Sequence, residues 1–146
     1  MVAAIHGIHY PGGDGFLFVR DRSHDVLAVS DVAMCKSGTT TLEAALLETP
    51  MVVAYRMHPL SYAVARRAIR VSNIGLVNLL AGRTVAPELL QRYVTADNLF
   101  ESVRPLLNRS GKAASEQRRA FGEIREKLGR PGVGARVADL VCRLVT

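Results

Sequence analysis

The sequence contains no tryptophan and only two cysteines, and aromatic residues make up 5% of the chain. Two thiols, Cys35 and Cys142, are too few for the disulfide framework that stabilises small secreted domains. No apolar run approaches the roughly 18 residues that a membrane-spanning helix requires. The first residues also lack the basic segment and the continuous apolar segment of a secretory signal. These absences predict a protein of the reducing cytoplasm that does not span a membrane.

Lysine is scarce as well, since 16 of the 19 basic residues are arginine, and the formal net charge is +6. Acidic residues are absent between Glu48 and Glu88, a stretch that contains five arginines: Arg56, Arg66, Arg67, Arg70 and Arg83. Because guanidinium groups bind phosphate oxygens in a fork geometry, this stretch favours an anionic partner. A nucleotide diphosphate, anionic lipid and nucleic acid all remain open, as does a compositional bias of the genome without functional meaning.

With 146 residues, of which 49% are apolar, the chain is long enough to bury the core of one domain. Short apolar runs alternate with helical patterns, which is typical of a parallel α/β sheet. We predict strands at 16–19, 32–35, 51–55 and 74–77, with helices at 25–29, 40–47 and 59–70 between them. Later segments are all helical, at 87–93, 96–107, 110–128 and 133–145.

The predicted fold class is therefore α/β, a Rossmann-like parallel sheet of about four strands followed by an all-helical carboxyl-terminal segment. This domain occupies residues 16–146, and residues 1–15 form a poorly defined amino-terminal segment rich in turn-forming residues.

The loop after the second predicted strand has the residue types of an anion site. Parallel α/β sheets bind ligands at the carboxyl ends of their strands, where Ser37, Gly38 and Thr39 are expected. Their hydroxyls, a close backbone approach at the glycine and the free N–H groups of the next helix all suit a diphosphate. A second interpretation is purely structural, because Thr40 and Glu43 fit a capping box that does no more than begin the helix.

A second polar set follows the predicted strand 74–77. Asn78, Arg83, Glu88 and Gln91 offer the donors and acceptors needed to bind a sugar or a base, with Glu88 and Gln91 on one face of a predicted helix. The alternative is that the asparagine ends a strand, the arginine pairs with a surface acid and the other two residues are solvated.

Two stretches of the sequence resemble a known family. SGTTTLEAALLETPMVVAYRMHPLSYAVARR and VNLLAGRTVAPELLQ are similar to the carboxyl-terminal, donor-binding half of lipid-A-disaccharide synthase, a B-type glycosyltransferase. The resemblance implies transfer of diacylglucosamine from UDP-diacylglucosamine to lipid X, with direct displacement at the anomeric carbon and no cofactor or metal. It also implies a homodimer formed through the carboxyl-terminal helices.

The resemblance assigns site residues as well. It implies that Ser37, Gly38 and Thr39 bind the UDP phosphates, that Glu43 lies near the ribose, and that the donor pocket is lined by four further residues: Asn78, Arg83, Glu88 and Gln91. The catalytic residues, and the site for lipid X, belong to the family's amino-terminal acceptor domain, which the sequence does not contain. We therefore expect the isolated chain to be inactive.

The sequence departs from the family pattern at Thr40, where alanine is usual, and at Val77, where proline is common. The alternatives in function are another UDP-N-acetylglucosamine transferase or epimerase, or a non-catalytic basic binding module. The charges along 115–127 alternate in sign, which favours a solvated face over a nucleic-acid groove. Arg66, Arg67 and Arg70 lie in an amphipathic pattern that suits either peripheral contact with an anionic membrane or a core-packed helix whose arginines reach out to solvent. The resemblance implies that such a membrane contact is at the inner face of the inner membrane.

Overall fold

The computed structural model describes residues 19–58, 62, 73–129 and 131–145. Its first elements are α1 (Ser23–Val29), β1 (Ala33–Lys36), α2 (Thr39–Leu46), β2 (Met51–Tyr55), α3 (Leu76–Ala81) and β3 (Glu88–Leu90). A 3₁₀ helix (Gln91–Tyr93) precedes α4 (Ala96–Val103), and a second one (Arg104–Leu106) precedes α5 (Lys112–Leu128) and α6 (Val133–Val145).

The three strands found in these residues form one parallel sheet in the order β1-β2-β3. Lys36 pairs with Ala54 across β1 and β2, and Tyr55 pairs with Leu90 across β2 and β3. The carboxyl ends of all three strands therefore meet at one edge, which we call the carboxyl edge. The prediction of an α/β fold with a parallel sheet and a helical carboxyl-terminal segment is confirmed, with three strands among the described residues in place of about four.

The predicted strand at 74–77 is wrong, because this stretch begins α3. The buried residues of α3 are Val77 and Asn78, and Leu80 and Ala81 pack against the core one turn later, which is the spacing of a helix face. A short apolar run does not distinguish a buried strand from a buried helix. The helix ends at Gly82, whose φ of 70° is the left-handed conformation that glycine adopts readily.

The predicted helix at 87–93 is also wrong, because it contains β3 and a 3₁₀ turn. Glu88, Leu89 and Leu90 pair with β2, and the amide of Val53 donates to the carbonyl of Pro87 at 2.8 Å. Helix propensity favours glutamate and leucine, but pairing with a buried neighbouring strand outweighs that preference here.

Other predicted boundaries lie closer to the observed ones. The helix predicted at 40–47 is α2, and the break predicted around Gly129 and Gly132 separates α5 from α6. Thr95 is the N-cap of α4, and its hydroxyl accepts a hydrogen bond from the amide of Asn98 at 3.2 Å. The segment 1–15, most of the predicted strand at 16–19 and nearly all of the helix at 59–70 lie outside the described residues.

The core lies between the sheet and three mutually packed helices, α2, α3 and α5. The buried positions of α5 are Ala114, Gln117, Ala120, Phe121 and Ile124, which recur at helical spacing. Gln117 is buried and polar, and its side chain satisfies the start of β2 by accepting from the amide of Met51 at 2.8 Å and donating to its carbonyl at 3.1 Å. This helix therefore fixes the amino end of the central strand.

Helix α6 differs from the others because its described side chains are exposed throughout. Its large apolar residues, Val133, Val137, Leu140, Val141 and Leu144, are each more than half exposed. Four of them recur at intervals of four, three and four residues and so share one face of the helix. An apolar cavity of about 790 Å³ lies at the start of α6, between Leu46, Leu128 and Val133.

Candidate functional site

The carboxyl edge brings together the segments that follow each strand. Ser37 and Gly38 follow β1, Arg56 and Met57 follow β2, and Gln91 follows β3. Loops at this edge are the usual ligand-binding position of parallel α/β sheets. At the rim, the Lys36 ammonium lies 5.8 Å from the centre of the Tyr55 ring.

Gly38 gives the first loop its shape. Its φ of 150° and ψ of −163° lie in a region that is essentially restricted to glycine, and a Cβ atom there would meet nothing within 4 Å. The buried Thr41 hydroxyl donates to the Gly38 carbonyl at 2.8 Å, which turns that carbonyl toward the helix. The loop therefore exposes open space at the amino terminus of α2, where unpaired backbone N–H groups carry partial positive charge.

The structure does not contain the predicted capping box. The N-cap of α2 is Gly38, and no side chain caps the helix. Thr39 and Thr40 are exposed, while Glu43 is half-buried one turn further along and approaches the imidazole of His24 at 3.5 Å. Burial raises the pKa of the neighbouring Cys35 thiol, with a smaller contribution from the Glu43 carboxylate. Cys35 is therefore a neutral core residue.

Ser37 connects the first loop to the segment before α3. Its hydroxyl donates to the carbonyl of Ile74 at 3.2 Å. From the other side, the Glu88 carboxylate accepts from the amides of Ile74 and Gly75 at 2.8 and 2.9 Å. A Cβ atom at Gly75 would lie 3.0 Å from Glu88 Oε1, so a larger residue there would require this carboxylate to shift by a few tenths of an ångström. Residues 74 and 75 are thus held between the loop after β1 and the start of β3.

Asn78 is completely buried, and all of its polar groups are engaged. Its Oδ1 accepts from the amides of Val85 and Ala86 at 2.7 and 2.9 Å, and its Nδ2 donates to the Ala86 carbonyl at 2.8 Å and to Glu88 Oε1 at 2.7 Å. This side chain therefore supports the wall of the site from behind, since it exposes no atom to a ligand.

Gln91 lies at the carboxyl edge, where its φ of 51° is unusual for a residue other than glycine. Its side-chain oxygen accepts from the amide of Met57 at 2.9 Å, and its backbone carbonyl accepts from Arg56 Nε at 3.3 Å. Glu88 and Gln91 do not share a helix face as predicted, because one begins a strand and the other begins the 3₁₀ turn after it.

Arg83 lies at the other end of β3. Its guanidinium pairs with the Glu123 carboxylate at 3.0 Å, and it lines a cavity of about 440 Å³ that also includes Pro87 and Gln117. Since Gln117 binds the first residue of β2, this cavity lies at the amino ends of the strands. The predicted residues therefore fall into three places: Ser37, Gly38, Thr39 and Glu43 at or near α2, Gln91 at the carboxyl edge with Asn78 and Glu88 behind it, and Arg83 at the amino end.

Two cavities at the carboxyl edge involve residues that the sequence did not single out as site residues. One, of about 390 Å³, is lined by Arg56, Met57, Tyr62, Gln91 and Arg92. The other, of about 530 Å³, shares Tyr62, Gln91 and Arg92 and adds Glu88, Leu90 and Tyr93. Arg92 donates to the Tyr93 hydroxyl at 2.9 Å, and this bond raises the pKa of the guanidinium. The only sequence signal for these residues was the acid-free stretch that contains Arg56.

Metal ligands and membrane spans are both absent from the described part of the chain. No group of three or more histidine, cysteine, aspartate or glutamate side chains there is arranged to hold a metal ion. Among the same residues, no helix combines the length and the hydropathy that crossing a bilayer requires.

A parallel sheet with a glycine-shaped loop at its carboxyl edge, followed by a helix amino terminus, is the arrangement at which α/β domains commonly bind ligands. Comparison with known proteins identifies the family within this class. Residues 15–132 match the family model described as lipid-A-disaccharide synthetase. The chain therefore belongs to the lipid-A-disaccharide synthetase family, a family of glycosyltransferases.

Individual relatives agree with this assignment. The chain is 47% identical over 124 residues to a lipid-A-disaccharide synthase of Anaeromyxobacter dehalogenans, covering 84% of the chain and 32% of that relative. It is 38% identical over 131 residues to the Syntrophus aciditrophicus lipid-A-disaccharide synthase, covering 90% of the chain and 34% of the relative. The Gluconobacter oxydans enzyme of the same name is 45% identical over 108 residues, which are 74% of the chain and 26% of the enzyme. The chain thus spans about a third of the length of these curated relatives.

Proposed function

We propose that the chain forms the UDP-sugar-binding part of a lipid-A-disaccharide synthase. The reaction is transfer of diacylglucosamine from UDP-diacylglucosamine to lipid X in lipid A biosynthesis. The family match supports the reaction class, and the observation that carries the binding role is the Gly38 loop, which leaves open space at the helix amino terminus on the carboxyl edge.

The proposed chemistry is direct displacement at the anomeric carbon with UDP as the leaving group. Negative charge then grows on the diphosphate, and the first turn of α2 offers backbone N–H groups and a positive dipole end worth about 0.3–1 kcal/mol to a nearby anion. Thr39 adds an exposed hydroxyl at the same loop, and Lys36 adds a positive charge at the end of β1. The Ser37 hydroxyl is proposed to turn from the Ile74 carbonyl to the diphosphate when UDP binds. These groups stabilise the leaving group without a covalent intermediate.

The remaining predicted residues support this proposal to different degrees. Glu43 lies one turn into α2 and is proposed to approach the ribose, in competition with its contact to His24. Asn78 and Glu88 are proposed to shape the donor pocket by holding residues 74 and 75. Arg83 is the weakest member of the set, because its guanidinium is bound to Glu123 at the amino end of β3.

Calorimetric titration of the 146-residue chain with UDP tests the binding role. We expect saturable binding that is weaker in Ser37→Ala and in Glu43→Ala, by about tenfold each if one charge-assisted contact is lost. Ser110→Ala is the matched control, because that hydroxyl bonds only Asn108 in the turn before α5. If titration with UDP gives the same heats as titration with buffer, the proposed binding role is wrong.

We expect no turnover of UDP-diacylglucosamine by the chain alone. Among the described residues near the carboxyl edge, the Glu88 carboxylate accepts three hydrogen bonds and Glu43 faces His24, so neither is placed as a general base. Release of UDP by the purified chain in the presence of lipid X would contradict this expectation.

The proposal extends to partners. A homodimer is supported by the exposed apolar stripe of α6, which a second copy would cover. Peripheral contact with an anionic membrane, on the cytoplasmic side of the inner membrane, is proposed from the basic pattern around Arg66, Arg67 and Arg70, which lies outside the described residues. Flotation with anionic and neutral liposomes tests that contact, and equal recovery with both would contradict it.

A further inference from the structure

Two chain segments beyond the ends of β2 and β3 are fastened together by three hydrogen bonds. Arg56 donates through Nε to the Gln91 carbonyl at 3.3 Å and through Nη2 to the Val94 carbonyl at 2.8 Å. In the opposite direction, the amide of Met57 donates to Gln91 Oε1 at 2.9 Å. We call this set the clasp.

The clasp begins where the sheet stops. The last paired residues of these strands are Tyr55 and Leu90, so the residues that form the clasp have no ladder hydrogen bonds to keep them in register. Arg56 is exposed, yet two of its nitrogens bind main-chain carbonyls on the neighbouring segment. A solvated surface arginine would instead keep its rotamer freedom, because ordering a long side chain costs conformational entropy.

The clasp also holds an unfavourable backbone conformation. Gln91 has a φ of 51°, and this left-handed conformation is unfavourable for a residue with a Cβ atom. Such residues persist where surrounding contacts determine the conformation, and they are common at ligand sites. Two bonds of the clasp reach Gln91 itself, and the third reaches Val94, whose amide donates to the Gln91 carbonyl at 3.2 Å. Both carboxyl-edge cavities are lined by Gln91.

We propose that Arg56 is a positioning residue for the donor site, which it serves by holding the Gln91 turn that forms the wall of both carboxyl-edge cavities. Gln91 has the same role, because its side-chain oxygen accepts a hydrogen bond from the Met57 amide. This inference rests on the proposed function, because it takes the carboxyl edge to be where the UDP-sugar binds. It differs from that proposal in assigning both residues to the geometry of the wall and neither to direct contact with phosphate.

The test compares four variants of the 146-residue chain by UDP affinity and by hydrogen exchange at the Met57 amide. Arg56→Gln and Gln91→Leu remove parts of the clasp and are expected to weaken UDP binding about tenfold while accelerating exchange at Met57. Gln91→Glu keeps an acceptor oxygen and is expected to restore both properties to within about threefold. Arg104→Gln removes a guanidinium contact of another exposed arginine, to Glu101, and is expected to change neither property.

The outcomes separate the two proposals. If the unaltered chain binds UDP and Arg56→Gln binds it equally well, the positioning role is wrong and the proposed function stands. The positioning role is also wrong if exchange at the Met57 amide is as fast in Gln91→Glu as in Gln91→Leu, because the acceptor oxygen would then not be what holds the turn. If the unaltered chain does not bind UDP, the proposed function fails and this inference fails with it.

Discussion

Gly38 and Gly122 both have open space around the position of a Cβ atom, but their backbones differ. Gly38 has a φ of 150°, whereas Gly122 lies within α5. Alanine at Gly38 must therefore strain or move the loop, while alanine in a helix is favoured over glycine by about 0.5–1 kcal/mol.

Exchanging each glycine for alanine isolates this difference. Gly38→Ala is expected to lower the free energy of unfolding by about 1–3 kcal/mol and to weaken UDP binding. Gly122→Ala is expected to raise the free energy of unfolding by up to about 1 kcal/mol with UDP affinity unchanged. Urea unfolding followed by circular dichroism measures the free energy of unfolding. Equal stability of the two variants would contradict the argument that the backbone conformation at Gly38 requires glycine.

Asn78 supplies a second test at this scale, because it is buried and uses both ends of its amide. Asn78→Ala leaves the amides of Val85 and Ala86 without their acceptor, and unsatisfied buried groups cost about 1–3 kcal/mol each. We expect a loss of about 3 kcal/mol in the free energy of unfolding. Asn98→Ala, in which an exposed amide loses its bond to the Tyr93 carbonyl, should cost under about 1 kcal/mol. Equal losses of unfolding free energy in Asn78→Ala and Asn98→Ala would contradict the argument that the buried hydrogen bonds of Asn78 stabilise the fold.

The sequence predicts which residue types lie at the candidate site, but it does not predict which groups their side chains bond to. The sequence indicated a polar set at Asn78, Glu88 and Gln91 and a glycine loop at Gly38, and the structure finds the glycine conformation that the loop requires. The roles of Asn78 and Glu88 depend on contacts with residues seven to fourteen positions away, across a turn that no periodic pattern reveals. A side chain that serves the main chain and one that serves a ligand look the same in sequence.

Among the helices and strands, tertiary contacts determine the structure of two segments whose local sequence pattern does not. The apolar run 74–77 fitted a strand and the segment 87–93 fitted a helix, yet α3 and β3 stand in their places. Both errors have one cause, because the third strand of the sheet lies about a dozen residues later than expected and the helix before it packs on the core. Long elements were predicted well, since α5 has a full helical period of buried residues.

The exposed apolar face of helix α6 leads to a prediction about the oligomeric state. Its stripe of four apolar residues at coiled-coil spacing is exposed, so a second copy is expected to cover it. Leu140→Asp places a charge in the stripe and should shift the chain from dimer to monomer in sedimentation velocity. Ala135→Asp, on the opposite face of the same helix, should leave the dimer intact. A monomeric unaltered chain, or equal dissociation in both variants, would contradict the proposed homodimer.

For the whole molecule, the fold is the α/β fold that the family resemblance implies, and only some of the predicted site residues lie at the carboxyl edge. The sheet gathers the loops after β1, β2 and β3 at one edge, and the network through Ser37, Ile74 and Glu88 ties the first of these loops to the start of the third strand. Among the described residues at this edge, two members of the arginine-rich set make specific contacts: Arg56 binds main-chain carbonyls and Arg92 donates to the Tyr93 hydroxyl. This edge is where we propose that the UDP-sugar binds.

Mapping UDP on the chain by amide chemical-shift changes tests that proposal most directly. We expect a saturable titration in which the amides of Gly38, Thr39 and Thr40 move most, together with those of Met57 and Gln91 at the clasp. The amides around Arg83 and Gln117, at the opposite end of the strands, should stay in place. Shift changes confined to that opposite end, or no saturable change at any amide, would contradict the proposed site.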